Sequence, residues 1–205
     1  AKGGEIHFDT DVKKIHNSKN SIAAVTTTYH GNDRSYSGDF FFSTMAIKDL
    51  VAACDTETVP RDVQSIAAAL PYRDFITVGL LVQNFSLGGA PVRDNWIYIQ
   101  DKEFVFGRIQ IFNNWSPYMV QDTSKIWLGM EYFCYEGDNV WQKSEEDMKK
   151  FAVGELVGLG LIRSFDDVLD GTVIQVPKAY PAYFGAYADF QKVKSYLDTF
   201  SNLFL

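Results

Sequence analysis

The stretch richest in groups that could hold a ligand reads GRIQIFNNWSPYMVQ, residues 107–121. It offers a guanidinium at Arg108, an amide at Asn114 and rings at Trp115 and Tyr118. WLGMEYFCYEGDNVW (127–141) adds Tyr132, and KAYPAYFGAY (178–187) adds Tyr180 and Tyr183. These residues lie in or beside predicted turns. An aromatic shelf with one arginine and nearby amides suits a planar or sugar-like anionic ligand: rings stack on flat apolar faces, and a guanidinium pairs with oxyanions. The same aromatics could instead fill a large core or cover a sheet, and composition by itself favours that plainer use.

Familiar catalytic patterns are missing. There is no G-x-S-x-G elbow, no H-E-x-x-H and no P-loop. GGEIHFD (3–9) carries two glycines but leads into a strand rather than a helix, so it is no dinucleotide fingerprint. His7, His16 and His30 all fall within the first 30 residues, in predicted strands and turns. The acid clusters Glu145-Glu146-Asp147 and Asp166-Asp167 stand at helix starts, where carboxylates stabilise the helix dipole. Cys54 and Cys134 make no disulfide framework and no metal spacing with the histidines; they read as small buried hydrophobes.

The elements that must position these groups follow from periodicity. Residues 5–44 alternate apolar and polar and break at 17–20 and 31–33, predicting a β meander. Phe40-Phe41-Phe42 reads as a strand covered on both faces. Thr44 is placed to cap a helix MAIKDLVAAC (45–54), and PRDVQSIAAAL (60–70) forms another, with Pro60 at its start. DFITVGLLVQ, NWIYIQ, RIQIF and KIWLGMEYFCY are β-branched and aromatic, and predict an antiparallel sheet. Ser144 and Asp147 resemble a capping box opening a helix that carries Met148, Phe151, Ala152 and Leu156 on one stripe. A last helix, YADFQKVKSYLDTF (187–200), buries Phe190, Val193, Leu197 and Phe200 and precedes the strand-like NLFL. The class is α+β.

The chain has 205 residues, a net charge of −7 and 46% hydrophobic residues. That length sustains one substantial core with a smaller second lobe. The negative charge and scattered basic residues argue against a nucleic-acid partner. No apolar run approaches the roughly 20 residues of a membrane span, and no N-terminal signal segment is visible, so the expected compartment is cytoplasmic.

Four stretches resemble FAD-dependent oxidoreductases of the amine oxidase/protoporphyrinogen oxidase superfamily, and most of all its bacterial branch related to UDP-galactopyranose mutase and to polysaccharide and LPS biosynthesis. GGEIHFDTDVKKI (3–15) resembles the strand pair G-x-I-x-x-x-x-x-V-x-x-I. GDFFFSTMAIKDLV (38–51) resembles the strand-to-turn motif ending S-T-M-P, with Ala46 in place of the frequent proline. RIQIFNNWSPYMV with WLGMEYFCYEGDNVW is similar to the substrate-domain sheet, and VPKAYPAY followed by NLFL to the approach to the flavin-binding C-terminus. The family's G-x-G-x-x-G before this segment and a G-R motif after it are absent from these residues, so the resemblance implies an internal fragment.

The resemblance implies three portions: part of an FAD-binding domain over 1–55, a substrate-binding domain over 56–185, and a helix and strand returning to the FAD domain over 186–205. It places Val12, Ser43, Thr44 and Met45 beside FAD. It makes Arg108, Asn114, Trp115, Tyr132, Tyr180 and Tyr183 substrate-binding residues, and names no catalytic residue and no metal. The implied substrate is a small molecule, such as a sugar nucleotide. The implied activity, mutase or amine- or protoporphyrinogen-type oxidase, belongs to the full-length enzyme; this segment alone would be inactive and hold FAD weakly or not at all. A non-enzymatic carbohydrate- or partner-binding module is the reading from another class.

Overall fold

The computed structural model describes residues 3–205. Strands β1 (Asp11–Ser18), β2 (Ser21–Tyr29) and β3 (Asn32–Ser37) precede a two-residue strand, β4 (Phe41–Phe42), and helices α1 (Ile47–Ala53) and α2 (Arg61–Ala69). Then come β5 (Tyr72–Val82), β6 (Trp96–Tyr98), β7 (Arg108–Ile111), the one-turn helix α3 (Phe112–Trp115) and β8 (Ile126–Cys134). Helix α4 (Glu145–Gly158), the long strand β9 (Val168–Pro181), α5 (Phe190–Leu197) and β10 (Leu203–Phe204) complete the order. These elements form two compact units, residues 1–72 with 181–205, and residues 73–180. Helix α2, grouped by sequence with the central segment, lies in the first unit, where it packs on α1 and α5.

In the first unit β1, β2 and β3 form the antiparallel meander, and β4 pairs in parallel with β10. Its core joins Ile15 and Ile22 of the meander to Leu50 and Val51 of α1, Val63 of α2, and Val193 and Leu197 of α5. Asn202 ties the chain's last turn to the meander: its amide oxygen accepts from the Ile22 N–H at 2.7 Å, and its amide nitrogen donates to the Ile22 carbonyl at 2.8 Å.

Two expectations change here. Thr44 does not cap α1, which starts after Ala46 with no cap from its own segment; the Ile47 N–H instead donates to the Tyr72 hydroxyl at 2.8 Å, satisfying an orphan donor of the first turn. Nor is the Phe40–Phe42 run covered on both faces: only Phe41 turns inward, while Phe40 is 66% and Phe42 79% exposed.

The second unit is a five-stranded sheet of order β6-β7-β8-β5-β9. One face is built for burial: Ile76, Val78, Leu80 and Val82 of β5 alternate inward beside Leu128, Met130 and Tyr132 of β8, under Met148, Ala152 and Leu156 of α4. Ser144 caps α4, its hydroxyl accepting from the Asp147 N–H at 3.1 Å and donating to the Asp147 carboxylate at 2.7 Å. Asp74 is buried and accepts from the Glu136 N–H at 2.6 Å and the Lys178 N–H at 2.8 Å, fixing the ends of two strands. The opposite face is left to a short helix, loops and its own side chains.

Candidate functional site

The first unit contains an apolar cavity of about 270 Å³, lined by Val12, Ile15, Ile22 and Val25 of the meander, Phe41 to Met45 of the β4 turn, Leu50 and Leu203. Plain alternation would send Val12 and Ile15 to opposite faces. A register shift between Val12 and Lys14 lets both face the cavity, and a second shift, between His16 and Asn17, does the same for Ile22 and Val25. The turn is held from outside: the Phe41 N–H donates to the Asn202 carbonyl and the Ser43 N–H to the Phe204 carbonyl, each at 2.8 Å. Ser43 accepts from the Met45 N–H through its hydroxyl at 3.3 Å. The lining has no charged side chain, so the slot suits a flat apolar ring edged by the Ser43 and Thr44 hydroxyls.

In the second unit chemistry gathers on the sheet face turned away from α4. Register places Arg108 of β7 opposite Glu131 of β8 and Tyr98 of β6. The Arg108 Nε donates to one Glu131 carboxylate oxygen and the Gln110 amide donates to the other, both in short contacts. The Glu131 side chain is 1% exposed and that of Arg108 16%. Hydrogen bonding to Glu131 raises the Arg108 pKa above its ordinary value, while burial acts against it. The guanidinium also donates to the Tyr98 and Tyr180 hydroxyls at 3.4 Å each and lies 5.7 Å from the Trp96 ring centre.

Rings extend this face. Trp115 of α3 packs against Trp96 at 5.1 Å, and Phe75, Phe133 and Tyr180 meet pairwise within 6 Å. Gly79 and Gly129 are cross-strand partners, and Phe112 lies over Gly129, where a β-carbon would come within 2.8 Å of the ring. Asn113 and Asn114 hold the α3 turn in place. Asn114 donates to the Asp94 carbonyl at 2.8 Å and the Val92 carbonyl at 3.1 Å, while Asn113 accepts from the Trp127 N–H at 2.9 Å.

The sequence-derived residues separate accordingly. Val12, Ser43, Thr44 and Met45 meet on this apolar cavity of the first unit. Arg108, Trp115 and Tyr180 meet on the open sheet face, with Asn114 bracing its edge through backbone carbonyls. Tyr132 does not belong with them. It is one position from Glu131 in a strand, hence on the other face, 0% exposed, its hydroxyl donating to Glu155 at 2.7 Å. Burial, with Glu155 alongside, pushes its pKa far above the ordinary phenol value. Tyr183 lies in the first unit, 74% exposed, edge-on to Tyr187 at 4.8 Å. Sequence reasoning missed Glu131, Gln110, Tyr98 and Trp96; the only local signal was a lone acid inside the apolar run of β8.

Among the described residues no helix is long and apolar enough to cross a membrane. No family model and no curated protein sequence matches the chain. Solved structures do. A reduced UDP-galactopyranose mutase aligns over 95% of this chain and 40% of its own, with a TM-score of 0.66 at 15% identity. A protein described as a protoporphyrinogen oxidase, from Exiguobacterium sp. 255-15, aligns over 96% and 41%, with 0.61 at 12%. A putrescine oxidase variant from a redesign of cofactor binding aligns over 81% and 33%, with 0.53 at 11%. The likeness is one of fold, and the chain spans about two fifths of the length of the first two.

Proposed function

We propose that this chain is the substrate-binding portion, with part of the cofactor-binding portion, of an FAD-dependent flavoenzyme of the amine oxidase/protoporphyrinogen oxidase superfamily. Its favoured activity is UDP-galactopyranose mutase-like, on a sugar nucleotide in surface polysaccharide biosynthesis in the cytoplasm. One observation carries this reading: Val12, Ser43, Thr44 and Met45, singled out by resemblance from two distant stretches, line one apolar cavity. The fold neighbours, a mutase and two oxidases, belong to the same classes.

The residues present fit the flat part of FAD. Val12, Ile15 and Val25 would take an apolar ring face, and the Ser43 and Thr44 hydroxyls would meet heteroatoms at its edge. They offer no cation and no glycine-rich helix start for a pyrophosphate, which a β-α-β unit outside this sequence would supply. When bound, FAD supplies the redox or redox-neutral chemistry, as hydride acceptor in an oxidase or in reduced form at an anomeric carbon in a mutase. The chain's own part is to bind and orient a substrate on the open face of the second unit, through Trp96, Trp115 and the Tyr98 and Tyr180 hydroxyls. Neither version calls for a strong protein base, and none of the three histidines lies in that unit.

The oxidase reading stays in view because Arg108 already has a carboxylate partner, which loosens the case for a nucleotide phosphate there. The test is the visible absorbance spectrum of the protein purified from its whole natural reading frame. Paired oxidised-flavin bands that bleach with dithionite are expected. A spectrum that stays blank after FAD is added overturns the reading and leaves a carbohydrate- or partner-binding module.

A further inference from the structure

An arginine on an aromatic face invites assignment as an anion receptor. Its surroundings argue otherwise. Glu131 is fully buried and takes the Arg108 Nε, so the pair is neutral as a unit. Gln110 occupies the second Glu131 oxygen, so the carboxylate has no vacant oxygen facing a ligand. The other arginine at this face, Arg73, donates to the Phe133 carbonyl at 3.2 Å and lies 5.2 Å from the Tyr135 ring centre. Arg108's remaining nitrogens point at phenols, Nη1 to Tyr98 and Nη2 to Tyr180. A guanidinium only donates, so each phenol oxygen accepts from it and keeps its own O–H for a ligand. Tyr98 and Tyr180 are both exposed, as are the neighbouring Trp96 and Trp115 rings.

We infer that this face binds the uncharged ring of the substrate, and that Arg108 is a positioning residue rather than a phosphate receptor. A hydroxylated ring, such as a sugar, lies against Trp96 and Trp115, and its oxygens accept from the Tyr98 and Tyr180 hydroxyls. Stacking with outward O–H donors recognises an acceptor-rich neutral ring, and a neutralised guanidinium gives no Coulombic gain to a diphosphate. The inference rests on the proposed function only in taking this face as the substrate site.

The experiment titrates the 205-residue chain with methyl β-galactopyranoside, a neutral sugar ring, and with inorganic pyrophosphate, the charged part alone, reading tryptophan fluorescence at low and high salt. Saturable galactoside binding that is insensitive to salt is expected, without binding or competition by pyrophosphate. Tyr98→Phe, which leaves the ion pair intact, should weaken galactoside binding roughly fivefold, the worth of one neutral hydrogen bond. Glu131→Gln, near-isosteric and checked for folding by near-UV circular dichroism, should release the guanidinium and let pyrophosphate bind. Salt-sensitive pyrophosphate binding to the unaltered chain, or no galactoside binding at all, overturns the inference. Because no flavin is involved, a failure here is separable from a failure of the flavoenzyme reading, which the absorbance spectrum tests.

Discussion

The two units solve opposite problems. The first surrounds a cavity with aliphatic side chains, two phenylalanines, a methionine and two hydroxyls, and keeps charge out of it. The second buries a full carboxylate and most of a guanidinium on one sheet face, then covers them with rings. An apolar slot needs only shape, so strand bulges and a pinned turn suffice. A buried ion pair needs shape and complete hydrogen bonding, since any unmatched partner is expensive. Stability in the second unit is therefore tied to its site, whereas the first unit's cavity shares Ile15, Ile22 and Leu50 with the buried core but is otherwise bordered by partly exposed residues, Val12 among them, which can change with little effect on its fold.

Loss of the Glu131 carboxylate should cost the second unit most. Glu131→Ala leaves Arg108 buried without its partner and Gln110 without an acceptor, and should destabilise the second unit by about 3–5 kcal/mol. Urea denaturation followed by tryptophan fluorescence measures this; a loss near zero would mean that the pair is solvated and the contrast unfounded. Next comes Gly129→Val, which drives a side chain into the Phe112 ring and should cost about 1–3 kcal/mol. Combining it with Phe112→Ala should recover part of that loss, and strictly additive effects in the same assay would contradict the contact. The smallest effect comes from one thiol in each unit. Burial pushes both Cys54 and Cys134 up to about 11 from 9.0. The folded chain holds them neutral while the unfolded chain ionises them from about 9, so their stabilisation is complete below that pH and is lost as pH rises towards 11. Slow reaction of both thiols with a disulfide reagent at neutral pH, becoming fast in denaturant, is the check.

The strands of the second unit were legible because alternation in β5 and the aromatic, β-branched content of β6 to β8 are local signals. Helix α4 was legible for the same reason, since Ser144, the acids behind it and the Met148–Leu156 stripe all lie within four turns. Glu131 was not, because nothing in MEYF distinguishes an acid facing water from one facing Arg108; only the β7–β8 register does, and register is non-local. Tyr132 was misplaced by the same one-residue ambiguity, which moves a side chain to the other face of the sheet. The V-x-x-I spacing of Val12 and Ile15 was recognised by resemblance, but its meaning depends on a bulge that alternation does not reveal. Phe40–Phe42 misled because a run of three rings implies burial, while this two-residue strand turns only the middle one inward.

If FAD binds as proposed, its flat part occupies the first unit's cavity. The most direct measurement is the flavin content of the protein from its whole reading frame, compared with its Val12→Phe variant, which fills the slot. Bound flavin is expected in the unaltered protein, with loss of most of it in the variant and little change in the variant's melting temperature. Equal flavin in both would place the cofactor elsewhere, and the cavity would then be a packing feature of the meander.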